Sequence, residues 1–160
     1  MIVSLGLLIS CSGLKNAPES KARTEPQPPL SVQMDSTYKT GETIRLSINN
    51  NHPENVLKIY HPLELNIEKK TTEGWKEVDI LYCRCGASCP PPPEYREIRP
   101  EQAYRISWDQ KTSWCGDLKE NGIREYHEKQ VSTGKYRIIL RFQFENKEIH
   151  SIQKYFNIVN

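Results

Sequence analysis

The strongest structural signal in this chain of 160 residues is a two-residue alternation at positions 135–142. Large apolar side chains stand at every second position there: Tyr136, Ile138, Leu140 and Phe142. Because successive side chains of a β-strand point to opposite faces, this period predicts a strand with one buried face. Similar alternation recurs in shorter runs at positions 43–49, 63–67 and 104–108, with turn residues between them. Several short strands separated by turns predict an all-β sandwich or barrel.

A glycine and a tyrosine at the start of the longest run favour the sandwich. Gly134 precedes Tyr136 by two residues, a spacing typical of the tyrosine corner, in which the phenol bonds back to nearby backbone. A plain hairpin turn beside an aromatic residue is the alternative. We predict an immunoglobulin-like Greek-key β-sandwich of about seven strands over residues 31–160. The only segment compatible with a short helix is 115–126.

The first ten residues of the chain predict an export signal. Residues 1–10 are apolar or small and lead directly into Cys11. They are too few to span a bilayer, which takes about 20 apolar residues, but they suit the apolar core of a signal peptide. The motif Leu8-Ile9-Ser10-Cys11 resembles the lipobox of bacterial lipoproteins. No Lys or Arg precedes this stretch, so either the true start of the protein lies upstream of Met1 or the signal is weak. The alternative to an export signal is a buried N-terminal strand with a free cysteine.

The lipobox resemblance implies a processed and lipid-anchored protein. Cys11 would receive a diacylglyceryl thioether, cleavage would occur before it, and acyl chains such as palmitate would hold the protein in a membrane. Residues 11–30 then form a tether that contains Pro18, Pro26, Pro28 and Pro29. Such a proline-rich polar segment cannot bury enough apolar surface to fold. We therefore expect attachment to the bacterial cell envelope, with the outer membrane favoured where the envelope has two.

The charge pattern argues against nucleic acid as a partner. The formal net charge is +2, and the 22 Lys and Arg residues are interleaved with 20 Asp and Glu residues. A nucleic-acid-binding domain usually carries a basic stripe, often with aromatic residues between the cations. That stripe is missing from this sequence.

Four cysteines of the predicted domain indicate disulfides. Cys83, Cys85 and Cys89 precede four consecutive prolines, and Cys115 follows 26 residues after Cys89. In an exported domain, four cysteines predict two disulfides. Cys83 and Cys85 are too close in sequence to bridge easily, so Cys115 bonds one of them and Cys89 bonds the other. Of these two pairings we favour Cys83–Cys115 with Cys85–Cys89. The alternative is a soft-metal site that supplies thiolates to zinc or copper.

No catalytic signature, such as a nucleophile elbow, a zinc-protease motif or a phosphate-binding loop, occurs in the sequence. A cysteine nucleophile paired with His127 is the one arrangement that the sequence leaves open. We predict a non-catalytic binding module without a cofactor, and the candidate partners are another protein or a protease. The candidate contact surface is the proline-stiffened loop at positions 82–95, with Arg84 and Tyr95 as anchors, because rigid loops lose little entropy on binding. The alternative is that this loop only closes the end of the sandwich.

Three short motifs resemble those of the BsuPI family of intracellular proteinase inhibitors. One covers positions 98–110 and ends in Trp108-Asp109-Gln110; the second, at positions 131–138, contains Gly134-Lys135-Tyr136; and the third is Ile48-Asn49-Asn50. The resemblance covers residues 31–159 loosely and implies an immunoglobulin-like sandwich. It also implies a second function, the inhibition of a protease, beside the binding module and the metal-binding lipoprotein.

Overall fold

The computed structural model describes residues 28–61, 66–120, 122–145 and 148–160. Cys11, the predicted signal peptide and most of the predicted tether lie outside these residues. The twelve described strands are β1 (Leu30–Gln33), β2 (Thr37–Lys39), β3 (Ile44–Asn50), β4 (Leu57–Tyr60), β5 (Asn66–Lys70), β6 (Trp75–Glu77), β7 (Tyr95–Ile98), β8 (Ala103–Trp108), β9 (Lys111–Leu118), β10 (Arg124–Gln130), β11 (Gly134–Phe144) and β12 (His150–Val159). None of the described residues belongs to a helix that is long and apolar enough to cross a membrane.

Two sheets make up the body of the molecule. The smaller sheet has the strand order β1-β3-β8, and the larger has the order β2-β12-β11-β4-β7. Strand β5 follows β4 along the same edge of β11, and β6 pairs with β5. All of these pairs are antiparallel except the parallel pair of β2 and β12. Strands β9 and β10 form a separate hairpin.

A single apolar core fills the space between the two sheets. Strand β3 contributes Ile44, Leu46 and Ile48, which are the apolar positions of its alternation. The facing side chains of the larger sheet include Leu57, Ile59, Ile67, Tyr136, Ile138, Leu140, Phe156 and Ile158. Trp108 spans the gap, because its ring lies 6.2 Å from that of Tyr136 and 6.5 Å from that of Phe156. Burial of these alternating side chains supplies the main driving force for this fold.

The strand order confirms the predicted immunoglobulin-like sandwich. Such domains place strands A, B and E in one sheet and strands G, F and C in the other. Here β1, β3 and β8 take the places of A, B and E, and β12, β11 and β4 take those of G, F and C. The structure has more strands than the seven or so predicted. One reason is that two strands are interrupted: β4 and β5 lie in line beside β11, and β7 and β6 lie in line on their other side. The hairpin of β9 and β10 is an addition, and it replaces the short helix considered for positions 115–126.

The three family-like motifs are structural connections. The side chain of Gln110 is fully buried at a residue with φ 61°. Its Nε2 donates to the carbonyl oxygens of Lys39 (2.8 Å) and Glu42 (2.7 Å), and its Oε1 accepts from the backbone N–H of Gly41 (3.0 Å) and from Nε2 of Gln130 (3.2 Å). One side chain therefore holds the turn between β2 and β3 against the segments around β9 and β10.

Asn50 makes a comparable connection at the other end of β3. Its Nδ2 donates to the carbonyl oxygens of Asn55 (2.8 Å) and Ile98 (2.9 Å), and its Oδ1 accepts from the backbone N–H of His52 (3.0 Å). The asparagine is buried, so its bonds satisfy polar backbone groups that would otherwise lose their contact with water.

The tyrosine at the start of β11 makes the hydrogen bond that defines a tyrosine corner. The hydroxyl of Tyr136 donates to the carbonyl oxygen of Ser132. Gly134 has φ 146°, and a Cβ at that position would lie 3.1 Å from Cε of Lys69, so the turn suits glycine. Burial of the ring raises the pKa of Tyr136 to about 12, although the bond to Ser132 acts in the opposite direction.

Candidate functional site

Two insertions interrupt the sandwich and associate with each other. Residues 78–94 lie between β6 and β7, and residues 111–130 form the hairpin between β8 and β11. We call the two segments together the appendage. Neither segment is needed to complete the strand order of an immunoglobulin-like domain, and the appendage contains all four cysteines of the described chain.

Hydrogen bonds attach the two segments at their bases. The backbone N–H of Ser113 donates to the carbonyl oxygen of Asp79 at 2.8 Å, and the Thr112 hydroxyl donates to the same oxygen at 2.9 Å. The hydroxyl of Ser113, a buried residue, accepts from the backbone N–H of Leu81 at 2.8 Å. The inserted loop therefore adds its first residues to the side of β9.

Two disulfides complete the attachment. Cys85 bonds to Cys115, with 5.7 Å between the Cα atoms, and this bond links the loop to the hairpin. Cys83 bonds to Cys89, with 6.2 Å between the Cα atoms, and closes a small ring inside the loop. The prediction of two disulfides is confirmed, whereas the favoured pairing of Cys83 with Cys115 and of Cys85 with Cys89 is wrong.

A tight turn explains the observed pairing. The backbone N–H of Ala87 donates to the carbonyl oxygen of Arg84 at 3.0 Å, and Gly86 has φ 76°. This turn reverses the chain, so Cys89 returns to Cys83 while Cys85 stands at the turn beside the hairpin. Sequence spacing alone does not reveal a reversal at this point.

The disulfides also bear on two alternatives from the sequence. All four sulfur atoms are bonded to one another in pairs, so these cysteines offer neither thiolates to a soft metal nor a thiol to His127. Within the residues that the structure describes, no group of three or more His, Cys, Asp and Glu side chains is placed to hold a metal ion.

The turn of the loop packs closely on the hairpin. A Cβ at Gly86 would lie 2.5 Å from Cγ2 of Ile123, so only glycine allows this approach. Two residues earlier, the guanidinium of Arg84 lies over the ring of Tyr126, 5.4 Å from its centre, a distance at which a cation is attracted to an aromatic face. Arg84 and Tyr126 thus join the two segments beside the disulfide.

The hairpin presents one face to the loop and the other to solvent. Ser113, Cys115 and Tyr126 share the inner face, because Cys115 pairs with Tyr126 in the register and each of the three contacts the loop. Trp114 and His127 pair on the opposite face, where their rings stack at 5.5 Å with an angle of 24°. Trp114 is 40% exposed, so this aromatic pair faces solvent.

Charged pairs hold the two strands of the hairpin together. Nζ of Lys111 lies 2.5 Å from Oε1 of Glu128 and hydrogen-bonds to it, which raises the pKa of Lys111 and lowers the pKa of Glu128. Near the tip, Nζ of Lys119 lies 3.1 Å from Oε1 of Glu125 and lowers the pKa of that carboxyl group. These side chains lie at the surface, so solvent screens the pairs and they contribute little to stability.

Exposed apolar side chains are concentrated on the appendage and at its border. Among the described residues, those on or beside it are Tyr82, Tyr95, Trp114, Leu118 and Ile123, and those on or beside β12 are Ile149, Tyr155 and Val159. Tyrosine and tryptophan are enriched at the centres of protein interfaces. The appendage is therefore the part of the described surface best suited to contact another protein.

The two predicted anchors occupy different surroundings. Arg84 lies on the turn of the loop and packs on Tyr126. Tyr95 begins β7, 6.1 Å from the ring of Tyr60 and with Nζ of Lys58 4.5 Å from its own ring centre, and it is 40% exposed. Sequence reasoning missed the pair of Trp114 and His127, because it did not identify residues 111–130 as a hairpin.

Comparison with known proteins adds distant structural likenesses only. No family model and no curated protein matches the chain. Among solved structures, the chain is similar to the ASH/PapD-like domain (PapD-like domain 7) of human CEP192, with 13% sequence identity, a TM-score of 0.35, and coverage of 98% of this chain and 94% of that one.

Proposed function

We propose that this protein is a non-catalytic binding module of the bacterial envelope that holds a protein partner through the appendage. The observation that carries the proposal is the solvent-facing pair of Trp114 and His127 on a hairpin that is fixed to the inserted loop by the Cys85–Cys115 disulfide. A fixed aromatic surface loses little conformational entropy when it binds, so more of the contact energy appears as affinity.

The placement of the hairpin supports a role in binding away from the point of attachment. The chain enters β1 at Leu30, which pairs with Asn50. The hairpin leaves the same sheet after Trp108, which pairs with Ile44 at the opposite end of β3. Six residues of extended strand separate Ile44 from Asn50, about 20 Å. A tether that ends at Leu30 would leave the hairpin at the far end of the sheet.

Two observations support the proposed location at the bacterial envelope. The motif that ends in Cys11 resembles a lipobox, and disulfides such as the two in the appendage persist in oxidising compartments outside the cytosol. Lipidation of Cys11 would then provide the membrane attachment. This part of the proposal is independent of the binding surface and is tested separately.

Protease inhibition, which the BsuPI resemblance implies, remains a second hypothesis. A protease cleft usually takes an extended segment, whereas residues 84–87 form a turn closed by the bond from Ala87 to Arg84. Arg84 also packs on Tyr126 and does not stand alone. For these reasons we place the binding module first and include a protease assay in its test.

The test uses the exposed aromatic pair and a matched control. We compare capture of envelope proteins by the wild type, by Trp114→Ala with His127→Ala, and by Tyr155→Ala, which removes another exposed aromatic side chain from β12. We expect the double variant to lose the captured partner while its melting temperature and the Tyr155→Ala capture stay close to the wild type. Equal capture by all three proteins would refute the assigned surface.

Two further measurements separate the remaining parts of the proposal. Cys11→Ala should abolish incorporation of labelled palmitate, and continued labelling would refute the lipid anchor without touching the binding surface. The wild type is also assayed against several serine proteases. Inhibition that survives the Trp114 and His127 substitutions but is lost with Arg84→Ala would favour the inhibitor hypothesis over ours.

A further inference from the structure

The outer face of the smaller sheet is a separate polar surface. Among the described outward positions of its three strands, the charged side chains are both arginines, Arg45 and Arg105. Side chains that alternate with the buried ones point outward on its three strands: Ser31, Gln33, Arg45, Ser47, Asn49, Ala103, Arg105 and Ser107. Three carboxylates lie just beyond the ends of the strands, Asp35 after β1 and Glu101 and Asp109 on either side of β8, and none of them forms an ion pair with an arginine of this face. The face therefore offers two guanidinium groups together with hydroxyl and amide donors.

The two arginines are neighbours on this face. Arg45 pairs with Ser107 and Arg105 pairs with Ser47 in the register of β3 and β8, so the arginines are diagonal neighbours. Diagonal positions on a sheet are about 7–8 Å apart, within reach of two long side chains. A shallow groove of about 380 Å³ lies among Gln33, Arg45, Ser47, Arg105 and Ser107.

Neither arginine has a charge partner in the part of the chain that the structure describes. Arg137, by comparison, forms an ion pair with Glu68, and Arg84 packs on Tyr126. Among the described residues, no ion pair, side-chain hydrogen bond or ring contact involves the guanidinium of Arg45 or that of Arg105. Two like charges that stand close together without a counter-ion favour a ligand that brings negative charge.

From this juxtaposition we infer that the face built on Arg45 and Arg105 docks on the phosphate headgroups of an anionic membrane. Arginine matches phosphate by paired N–H donors, and the flanking serines add further donors. The occupant is chosen by continuity as well as by charge. Ser31 and Gln33 of β1 lie on the same face, and the chain enters this sheet at Leu30. The inference rests on the membrane attachment in the proposed function.

The test uses the full chain with Cys11→Ala, so that the face is measured without a lipid anchor. Co-sedimentation is compared for vesicles of phosphatidylcholine alone and vesicles of equal parts phosphatidylglycerol and phosphatidylcholine. The variants are Arg45→Gln with Arg105→Gln, and a matched control, Lys76→Gln with Lys129→Gln, which removes two exposed or partly exposed cations from other elements. Thermal melting confirms that each variant is folded.

We expect preference for the anionic vesicles, an approximately thirty-fold weaker partitioning for the arginine variant, and no comparable loss for the lysine variant. High salt should abolish the preference. If the arginine and lysine variants lost vesicle binding equally, the binding would depend on the net charge of the protein and not on this face, and the proposal would be overturned. Retention on immobilised polyphosphate that depends on the arginines, without vesicle binding, would overturn the membrane as the source of the phosphate. If the wild type does not incorporate palmitate, the lipid anchor of the proposed function is contradicted, whereas the docking of this face is judged by the vesicle measurements alone.

Discussion

The sandwich and the appendage are held together by different means. Buried side chains fix the sandwich, where Gln110 and Asn50 each satisfy three or more backbone or side-chain groups around the core. Within the appendage, the two segments are held by the bonds at Asp79 and Leu81, by two disulfides and by surface charged pairs, and Val78 at its base packs into the core of the sandwich. The sandwich thus resembles any small globular core, whereas the appendage depends on covalent cross-links.

This difference separates the parts of the chain that specify the fold from the part suited to binding. A side chain that is buried and fully hydrogen-bonded cannot also contact a partner, and Gln110, Asn50 and Tyr136 are of this kind. Covalent attachment allows the appendage to keep its aromatic side chains at the surface, because it does not need to bury them for stability. Trp114, which is 40% exposed, is such a side chain.

The largest expected effect is the loss of the Gln110 side chain. Gln110→Ala removes the bonds from this side chain to the carbonyl oxygens of Lys39 and Glu42 and to the N–H of Gly41, at a cost of about 4 kcal/mol in the free energy of unfolding. Urea unfolding measures this value. The control is Gln102→Ala, whose side chain is exposed. Similar losses in the two variants would mean that Gln110 does not hold the sandwich together.

The second prediction concerns the disulfide between the two inserted segments. Cys85→Ser with Cys115→Ser opens a loop with a sequence separation of 30 residues, and the chain-entropy model gives a loss of about 3.5 kcal/mol. Since that model lowers the free energy of global unfolding, amide exchange should become faster throughout the fold. Because the link also joins the two segments of the appendage, we expect the acceleration to be larger in residues 111–130 than in β3 and β11. Exchange that rises equally in both regions would remove the distinction between sandwich and appendage.

A smaller loss should follow removal of the other disulfide. Cys83→Ser with Cys89→Ser removes a cross-link with a sequence separation of only 6, for which the same model gives a loss of about 2 kcal/mol in the free energy of unfolding.

Non-reducing digestion of the wild type should release Cys85 and Cys115 in one linked fragment. A fragment that links Cys83 to Cys115 would support the pairing favoured from the sequence and contradict the structure.

The sandwich could be predicted from the sequence because its signals are local. Alternation at positions 135–142 and the spacing of Gly134 and Tyr136 report on burial and on one turn, and both features belong to single segments. The pairing of the cysteines depends on a reversal at residues 84–87 and on contact with a hairpin in a distant segment. Such contacts have no periodic signature.

The sequence does contain one signal for this hairpin. The dipeptide Asn121-Gly122 is typical of tight turns between two strands, but the polar and aromatic side chains on either side of it do not alternate cleanly. The inner face of this hairpin meets a disulfide loop and carries Ser113, Cys115 and Tyr126 in place of aliphatic residues. Hydrophobic periodicity therefore fails where the neighbour is not an apolar core.

A moderate effect is expected at the tyrosine corner in alkaline solution. The pKa of Tyr136 is about 12 in the folded protein against 10.0 for the free side chain. Between these values the unfolded chain has lost this proton and the folded chain keeps it, so stability falls as the pH rises through this window. Tyr136→Phe should lose the bond to Ser132, about 1 kcal/mol at neutral pH, and should show a shallower decline above pH 10. A decline as steep as that of the wild type would assign the effect to other groups.

The smallest effect should come from the charged pair on the hairpin. Lys111 holds the pKa of Glu128 below its usual value through a hydrogen bond. The pair therefore stabilises the folded protein at pH values above the usual pKa of a glutamate, and this contribution is lost as the pH falls through the lowered pKa of Glu128. Glu128→Gln should leave urea unfolding nearly unchanged, because the side chains lie at the surface, while the pKa of Lys111 returns toward its ordinary value. NMR titration of the Glu128 carboxyl carbon and the Lys111 side chain measures both shifts, and high salt should reduce them. If Glu128→Gln instead destabilised the hairpin as much as removal of the Cys85–Cys115 bond, the appendage would depend on its surface charges and not on its cross-links.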